Sequence, residues 1–244
     1  MVRQERIDTS HILHKDENYV VLNKPSGWLV HKSAMAGDRR NCLSVLRNML
    51  DRPVWPVHRL DRKTSGVLLF ALSPEAARAA MERFEARTVK KEYLAIVRGW
   101  VDEETVVNDP LALPDGGAPQ EACTHVYPLA RGELPFPVGP FATVRYSLLR
   151  LVPETGRWHQ IRRHLNHISH PVLGDAVHGD GRHNRFFRSH FATDGMTLHA
   201  WRLAIDLGDG AGVRTLEAPP PALFRQIADA CGWALPGLET EVPT

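Results

Sequence analysis

The chain has 244 residues, of which 43% are hydrophobic and 24% are charged, and its formal net charge at pH 7 is +2. A chain of this length can bury a substantial core, and this balance is ordinary for a globular enzyme. No apolar run approaches the roughly 20 residues that a membrane-spanning helix needs, and the first residues, MVRQERIDTSHIL, lack the apolar stretch of a secretory signal. We therefore expect a cytoplasmic protein without a membrane partner.

The three cysteines, Cys42, Cys123 and Cys231, are far apart and form no CxxC pair. Such spacing fits a reducing cytosol and gives no sign of a disulfide framework.

Alternating and helical apolar patterns divide the first part of the chain into short elements. Ser73-Pro74-Glu75 combines a capping side chain, a proline at the first helical position and an early acid, which is typical of a helix start. The patterns predict a strand at 19–22, a helix at 42–50, a strand at 66–72, a helix from 74 to about 87 and a strand at 91–97.

The second part of the chain begins with a proline- and glycine-rich stretch at 108–140, which is interpreted as loops around one strand. The patterns that follow predict that strand at about 121–129, a strand at 142–152, a helix at 158–168, a hairpin from 198–207 and 213–217, and a helix at 219–231. Strands with few helices between them predict an α+β fold with a mixed, mostly antiparallel sheet. We expect one catalytic domain over residues 1–244.

The segment HRLDRKTSG at 58–66, which precedes a strand of apolar residues, is the most informative local pattern. Asp61 stands there among Arg59, Arg62 and Lys63. Cations within about 4–6 Å lower the pKa of a carboxyl group by roughly 1–3 units and keep it ionised. An ionised, positioned aspartate can act as a nucleophile or as a base. The alternative is a surface ion pair, which contributes little to stability.

Positive charge is concentrated between Arg157 and Arg188, where six arginines face two aspartates and give a local net charge of +4. A local basic field of this kind suits a phosphate backbone, although a solvated charged face is the alternative. Six histidines lie in the same region, but His164 and His167 are only three residues apart, and a helical zinc pair of the HExxH type needs four. We therefore predict no metal site and interpret these histidines as polar surface or RNA-facing groups.

Five sequence blocks, taken in order, resemble the pseudouridine synthases that share the HRLDxxTSG loop. The blocks are NKPSGWLVH (23–31), HRLDRKTSGVLLFA (58–71), KKEYLAIVRG (90–99), TGRWHQIRRHLNHISHPVLGD (155–175) and LHA (198–200). The resemblance implies the pseudouridine synthase fold, an isomerase that acts on RNA, and no cofactor. Because the first block begins so early in the chain, we expect no separate N-terminal RNA-binding domain.

The resemblance also implies the roles of particular residues. Asp61 is the nucleophile or the ribose-side base, Arg162 keeps it ionised, and Tyr93 stacks on the uracil. Leu198 packs against the base, and Arg59 fills the gap that the extruded base leaves. Phosphate contacts are expected from Arg163, Arg182, Arg185 and Arg188.

Finer details of three segments resemble the branch of the family that modifies uridine 65 in the T-stem of tRNA. The segments are NKPSGWLVH (23–31), the Val-Arg-Gly-Trp at 97–100 and HPVLGDAVHGDGRHNR (170–185). A different uridine of tRNA or of 23S ribosomal RNA is the alternative substrate. Two other classes stay open, a non-catalytic RNA-binding factor and a histidine- or metal-dependent RNA hydrolase. We expect a monomer.

Overall fold

A computed structural model of the chain describes residues 6–32 and 40–236. These residues form two compact units: the first holds the chain up to Glu92 together with Ala200–Ala218, and the second holds Tyr93–His199 together with the residues from Pro219 onward. In chain order the elements are a 3-10 turn (Thr9–His11), β1 (Ile12–Lys15), β2 (Tyr19–Lys24), α1 (Cys42–Leu50), β3 (Trp55–Pro56), β4 (Ser65–Ala71), α2 (Pro74–Glu85), β5 (Lys90–Arg98), β6 (Thr105–Asn108), β7 (Cys123–Leu134), β8 (Val144–Pro153), α3 (Gln160–His167), α4 (Gly181–His190), β9 (Leu198–Asp206), β10 (Val213–Glu217) and α5 (Ala222–Cys231).

Antiparallel pairing builds the sheet of the first unit. β2 lies between β1 and β4, and its register with β4 sets Tyr19 opposite Ala71 and Lys24 opposite Gly66. The short β3 pairs with the end of β4, and β10 pairs with β9. All seven residues of β4 are buried, so both faces of this strand are covered.

Gly66 allows β4 to approach β9 closely. Its φ is +107°, and a Cβ atom placed on it would lie 2.1 Å from the carbonyl oxygen of Ala200. No side chain fits that distance, and only glycine adopts such a φ without strain. The last residue of the HRLDRKTSG segment is therefore required by the packing of the strand that follows Asp61.

Helix α2 begins as its sequence predicts. The Ser73 hydroxyl accepts a hydrogen bond from the amide of Ala76 at 3.1 Å, and Pro74 occupies the first helical position. The helix then buries Ala76, Ala77 and Ala80 against the first apolar core.

The second unit contains an antiparallel sheet in the order β5-β8-β7-β6. Its core combines residues of the sheet with the apolar side of α3, where Ile161 and Leu165 are buried. Both residues follow the helical spacing that the sequence shows, and this packing orients the rest of α3.

The α+β class and the mostly antiparallel pairing are confirmed, and an isolated parallel bridge joins Leu29 and Asn41 outside the named strands. Every predicted strand and helix is present within a few residues of its expected bounds. The prediction of one domain over residues 1–244, without a separate RNA-binding domain, stays a prediction; residues 1–5, 33–39 and 237–244 lie outside the described part.

Besides the 3-10 turn at Thr9–His11, four elements were not predicted, namely β1, β3, β6 and α4. The three strands have four residues or fewer, and pairing with a longer neighbour defines them. Helix α4 is rich in arginine and histidine and buries only His183 and Phe187, so its apolar periodicity is weak. Within the described residues, no helix has the length and apolar character that crossing a membrane would require.

Candidate active site

Asp61 lies in a tight turn just before β4. The amide of Thr64 donates to the carbonyl oxygen of Asp61 at 3.1 Å, which closes the turn over Arg62 and Lys63. Asp61 is half-buried, and Arg59 is exposed. The turn therefore holds the aspartate on an ordered backbone without enclosing it completely.

Lys24, the last residue of β2, holds this turn in place by hydrogen bonds to its backbone. Its ammonium group is fully buried and donates to the carbonyl oxygens of Pro25, Arg62 and Thr64 at 3.1, 3.0 and 2.6 Å. Burial lowers the pKa of Lys24 to about 8, although the nearby Cys42 and Asp61 groups act to raise it. A buried ammonium group is tolerated here because three carbonyl dipoles receive its three protons.

The NKPSG turn holds the Asp61 turn through further bonds. The amide of Gly27 donates to the carbonyl oxygen of Arg62 at 2.8 Å, and the Ser26 hydroxyl donates to that of Lys63 at 2.7 Å. The Nε atom of Arg62 donates back to the carbonyl oxygen of Gly27 at 3.0 Å. Two distant sequence blocks thus form one pair of interlocked loops.

His58 forms a hydrogen bond with the backbone of β4, the strand that follows the same segment. Its Nε2 atom accepts a hydrogen bond from the amide of Leu69 at 3.0 Å, and its ring stacks on Phe84 with centroids 5.0 Å apart. Burial, helped by the positive charge of Lys91, lowers the pKa of His58 to about 3. The imidazole is therefore neutral at pH 7, and it stabilises the loop as a hydrogen-bond acceptor.

In the second unit, Arg162 and Asp175 form a buried bidentate ion pair. Nε and Nη2 of Arg162 each lie 2.7 Å from a carboxylate oxygen of Asp175, and the two residues are 6% and 1% exposed. Burial acts to raise the pKa of Asp175, but hydrogen bonds from Arg162 and from the amides of His178 and Val177 outweigh it and hold that pKa below its usual value. The guanidinium plane of Arg162 is thereby fixed.

Arg162 is one of the buried residues of α3, although it is charged. It is buried because its charge is neutralised by Asp175, which the sequence shows only as an acid within the arginine cluster. The expected pairing of Arg162 with Asp61 stays a prediction, since the two residues belong to different units.

Tyr93 and Leu198, both assigned to the uracil, differ in burial. Tyr93 lies in β5 opposite Leu151, is half-buried and packs against the second core. Leu198 begins β9, is 3% exposed and belongs to the same core. Core packing thus accounts for Leu198 in the structure, and its contact with a base stays a prediction.

Three of the arginines assigned to phosphates lie on one helix. Arg182, Arg185 and Arg188 follow each other at intervals of three on α4 and are exposed, so their side chains share one side of the helix. Asp180 caps α4 by accepting from the amides of Arg182 and His183 at 2.8 and 3.0 Å. The fourth, Arg163, donates to the carbonyl oxygen of Ala112 at 2.9 Å and lies apart from this row in the sequence.

Two of the six histidines of this region are buried, against the expectation of polar surface or RNA-facing groups. His164 is buried, with Nδ1 3.0 Å from the Thr124 hydroxyl and Nε2 3.0 Å from the carbonyl oxygen of Asp109. His183 is buried beside the hydroxyl of Tyr146, and burial lowers its pKa to about 4. The surface prediction is wrong for these two residues, which stabilise the fold as neutral rings.

The chain belongs to the RNA pseudouridylate synthase family, whose sequence model matches residues 18–167. It is 42% identical to the tRNA pseudouridine synthase C of Pectobacterium carotovorum subsp. carotovorum, over 96% of this chain and 65% of the relative. It is 45% identical to the enzyme of the same name from Vibrio cholerae, over 79% of this chain and 83% of the relative. The corresponding protein of Salmonella typhi is 40% identical over 91% of this chain and 90% of the relative.

Solved structures show the same fold. Human RNA Pseudouridylate Synthase Domain Containing 4 superposes with a TM-score of 0.72 at 26% identity, over 93% of this chain and 95% of that chain. Human RNA Pseudouridylate Synthase Domain Containing 1 gives a TM-score of 0.71 at 24% identity, over 89% and 87% of the two chains.

Two residues of the site were missed by reasoning from the sequence. Lys24 closes a strand whose other residues are largely apolar, and a charge in such a strand signals a buried, hydrogen-bonded cation. Asp175 ends the block that carries Arg162, but no local pattern shows that the two side chains meet across a turn.

Proposed function

We propose that the chain isomerises a uridine of tRNA to pseudouridine, and that the target is uridine 65 in the T-stem. The observation that carries the proposal is the Asp61 turn, which lies within the matched family segment and is fixed by Lys24. The names of relatives that are 40–45% identical support tRNA as the substrate. A cytoplasmic monomer suits this role.

The reaction rearranges bonds within one nucleotide. The bond between N1 of uracil and C1′ of ribose breaks, the base turns, and C5 bonds to C1′; C5 then loses its proton and N1 gains one. Asp61 acts on the ribose side as nucleophile or base. For either role its carboxylate must be ionised, and a cation such as the oriented guanidinium of Arg162 favours that form. Tyr93 stacks on the uracil and assists removal of the C5 proton.

A stacked base in a stem is out of reach, so the nucleotide must leave the helix at a cost of about a few kcal/mol. The exposed Arg59 precedes the Asp61 turn and fills the vacated position. Arg182, Arg185 and Arg188 on α4, together with Arg163, contact phosphates, which set the register of the RNA. Leu198 supports the extruded base from the core.

Asp61→Asn tests the chemical role. It keeps the shape of the side chain and removes the charge, so we expect no tritium release from RNA that contains 5-tritiated uridine, while tRNA binding persists. Asp115→Asn, in an exposed loop, is the matched control and retains turnover. Normal turnover by Asp61→Asn would refute the assignment and favour a non-catalytic RNA-binding factor.

A separate measurement tests the target. Pseudouridines are mapped in RNA from cells that lack this protein and from cells that carry Asp61→Asn. Loss of the modification at tRNA position 65 in both supports the proposal. Loss at another tRNA position or in 23S ribosomal RNA contradicts the target while leaving the enzyme class intact.

A further inference from the structure

A cluster of metal-ligand side chains lies in the second unit, outside the residues assigned to the reaction. The Sγ atom of Cys123, a ring nitrogen of His125 and a carboxylate oxygen of Glu154 all lie within 4.8 Å of one another. Cys123 and His125 are half-buried, and Glu154 is exposed. Among residues 6–32 and 40–236, this is the one group of three or more such side chains whose ligand atoms converge.

The sheet itself brings these residues together. Cys123 and His125 are two residues apart on β7, so both side chains leave the same face of the strand. Glu154 follows the last residue of the neighbouring β8, and its amide donates to the carbonyl oxygen of Cys123 at 3.1 Å. The convergence of the three side chains thus follows from strand pairing. It does not depend on the flexibility of the side chains alone.

The backbone of Cys123 is held firmly. Its amide donates to the Thr155 hydroxyl at 3.2 Å, and its carbonyl oxygen also accepts from Nε2 of Gln160 at 2.9 Å. Gln160 is the first residue of α3. A ligand on such a backbone loses little conformational entropy when it binds an ion.

The Glu154 carboxylate already contacts one of the other two side chains. Its Oε1 atom lies 2.7 Å from Nε2 of His125. A divalent cation placed among the three side chains would have its charge balanced by the thiolate of Cys123 and the carboxylate of Glu154.

We propose that Cys123, His125 and Glu154 form a zinc-binding site with three protein ligands and one position open to water. A thiolate and an imidazole select zinc over magnesium or calcium, which prefer oxygen ligands. Ligands that surround a tetrahedral zinc ion at about 2.0–2.3 Å stand roughly 3–4 Å apart, so small side-chain rotations bring these atoms to the required spacing.

Cobalt, which reports a thiolate ligand by its absorption, tests the site directly. The full chain is dialysed against a chelator and titrated with Co²⁺, and Zn²⁺ is then added as a competitor. We expect one ion per chain and a thiolate-to-cobalt charge-transfer band that zinc abolishes. Cys123→Ser loses the band, and the matched control Cys231→Ser keeps it. The proposal is overturned if the native chain shows no band, or if Cys231→Ser removes it.

Equilibrium dialysis with zinc tests the contribution of the other two ligands. His125→Ala and Glu154→Gln weaken zinc binding by at least the roughly 10–100-fold that loss of a mere supporting residue costs. Native affinity in both variants would overturn the proposal.

Thermal unfolding separates loss of the site from loss of the fold. Without metal, Cys123→Ser melts at the same temperature as the native chain, because the substitution is nearly isosteric. Added zinc raises the Tm of the native chain and leaves that of Cys123→Ser unchanged; an equal rise in both overturns the proposal. None of these readouts involves RNA, so their failure leaves the proposed isomerase intact.

Discussion

The ammonium nitrogen of Lys24 lies 2.6 Å from the carbonyl oxygen of Thr64, the residue that closes the turn begun by Asp61. The same nitrogen also donates to the carbonyl oxygen of Arg62 at 3.0 Å. A single buried cation thus fixes the backbone that carries the side chain of Asp61. The backbone position of Asp61 therefore depends on a residue that lies 37 positions earlier, at the end of β2.

Lys24→Met keeps the length and removes the donor. Because three carbonyl groups lose their partner, we expect the free energy of unfolding to fall by about 1–3 kcal/mol and turnover to fall with it. Urea denaturation and tritium release measure the two effects. Lys15→Met, at an exposed position, is the control and changes neither. Native turnover in Lys24→Met would show that the anchor is dispensable.

Asp175→Asn leaves the buried guanidinium of Arg162 without its counter-charge. Breaking one side of a buried ion pair costs about 3–5 kcal/mol, and we expect a loss of this size in urea denaturation together with loss of activity. The double variant Arg162→Met with Asp175→Leu should regain stability without regaining activity. Recovery of activity in the double variant would contradict a functional role for Arg162.

Gly66→Ala tests the close approach of β4 to β9. A methyl group at this position meets the carbonyl oxygen of Ala200, and the residue also has a positive φ. Gly210→Ala is the matched control, since Gly210 has a φ of +81° but nothing within 4 Å of an added Cβ. Gly210→Ala should cost about 1 kcal/mol of backbone strain, and Gly66→Ala substantially more, as measured by thermal and urea unfolding. Equal losses of stability in the two variants would show that backbone strain alone explains why residue 66 is a glycine.

His58 predicts a specific dependence of stability on pH. Its pKa is about 3 in the fold, against 6.5 for the free side chain. Between these values the unfolded chain binds a proton that the folded chain does not, so stability falls as the pH drops through this window, by up to about 1.4 kcal/mol per pH unit.

His58→Gln keeps an acceptor for the Leu69 amide and cannot titrate. Its unfolding free energy should therefore fall less between pH 7 and pH 4.5 than that of the native chain, when both are measured in urea. Other acids and histidines contribute equally to both proteins and cancel in the difference. The same pH dependence in both would exclude His58 as the source.

The arginine row of α4 predicts a salt effect on RNA binding. Arg185→Ala should weaken tRNA binding and flatten the plot of log affinity against log salt by about 0.7–0.9 per lost phosphate contact. Turnover at saturating tRNA should be retained. Arg225→Ala, an exposed arginine on α5, is the control and leaves the slope unchanged. An unchanged slope in Arg185→Ala would place the RNA elsewhere.

The regular elements and the key motif can be predicted from the sequence because their signals are local. The capping residues of α2, the spacing of Ile161 and Leu165, and the alternation in β5 each involve positions two to four residues apart. The family resemblance and the place of Asp61 before a buried strand are equally visible in the chain. Helix α4 is the exception among the helices, since its two buried side chains are too few for a periodic pattern.

The partners of the charged groups could not be predicted in this way. Lys24 binds a carbonyl oxygen 40 residues away, and Arg162 pairs with an acid 13 residues away across a turn. A hydrogen bond of this kind depends on distance and orientation after the strands and loops have packed, and no residue near either charge in the sequence specifies it. The sequence thus predicts which residues take part in the reaction, whereas only the folded structure determines the partners that hold their backbones and side chains in place.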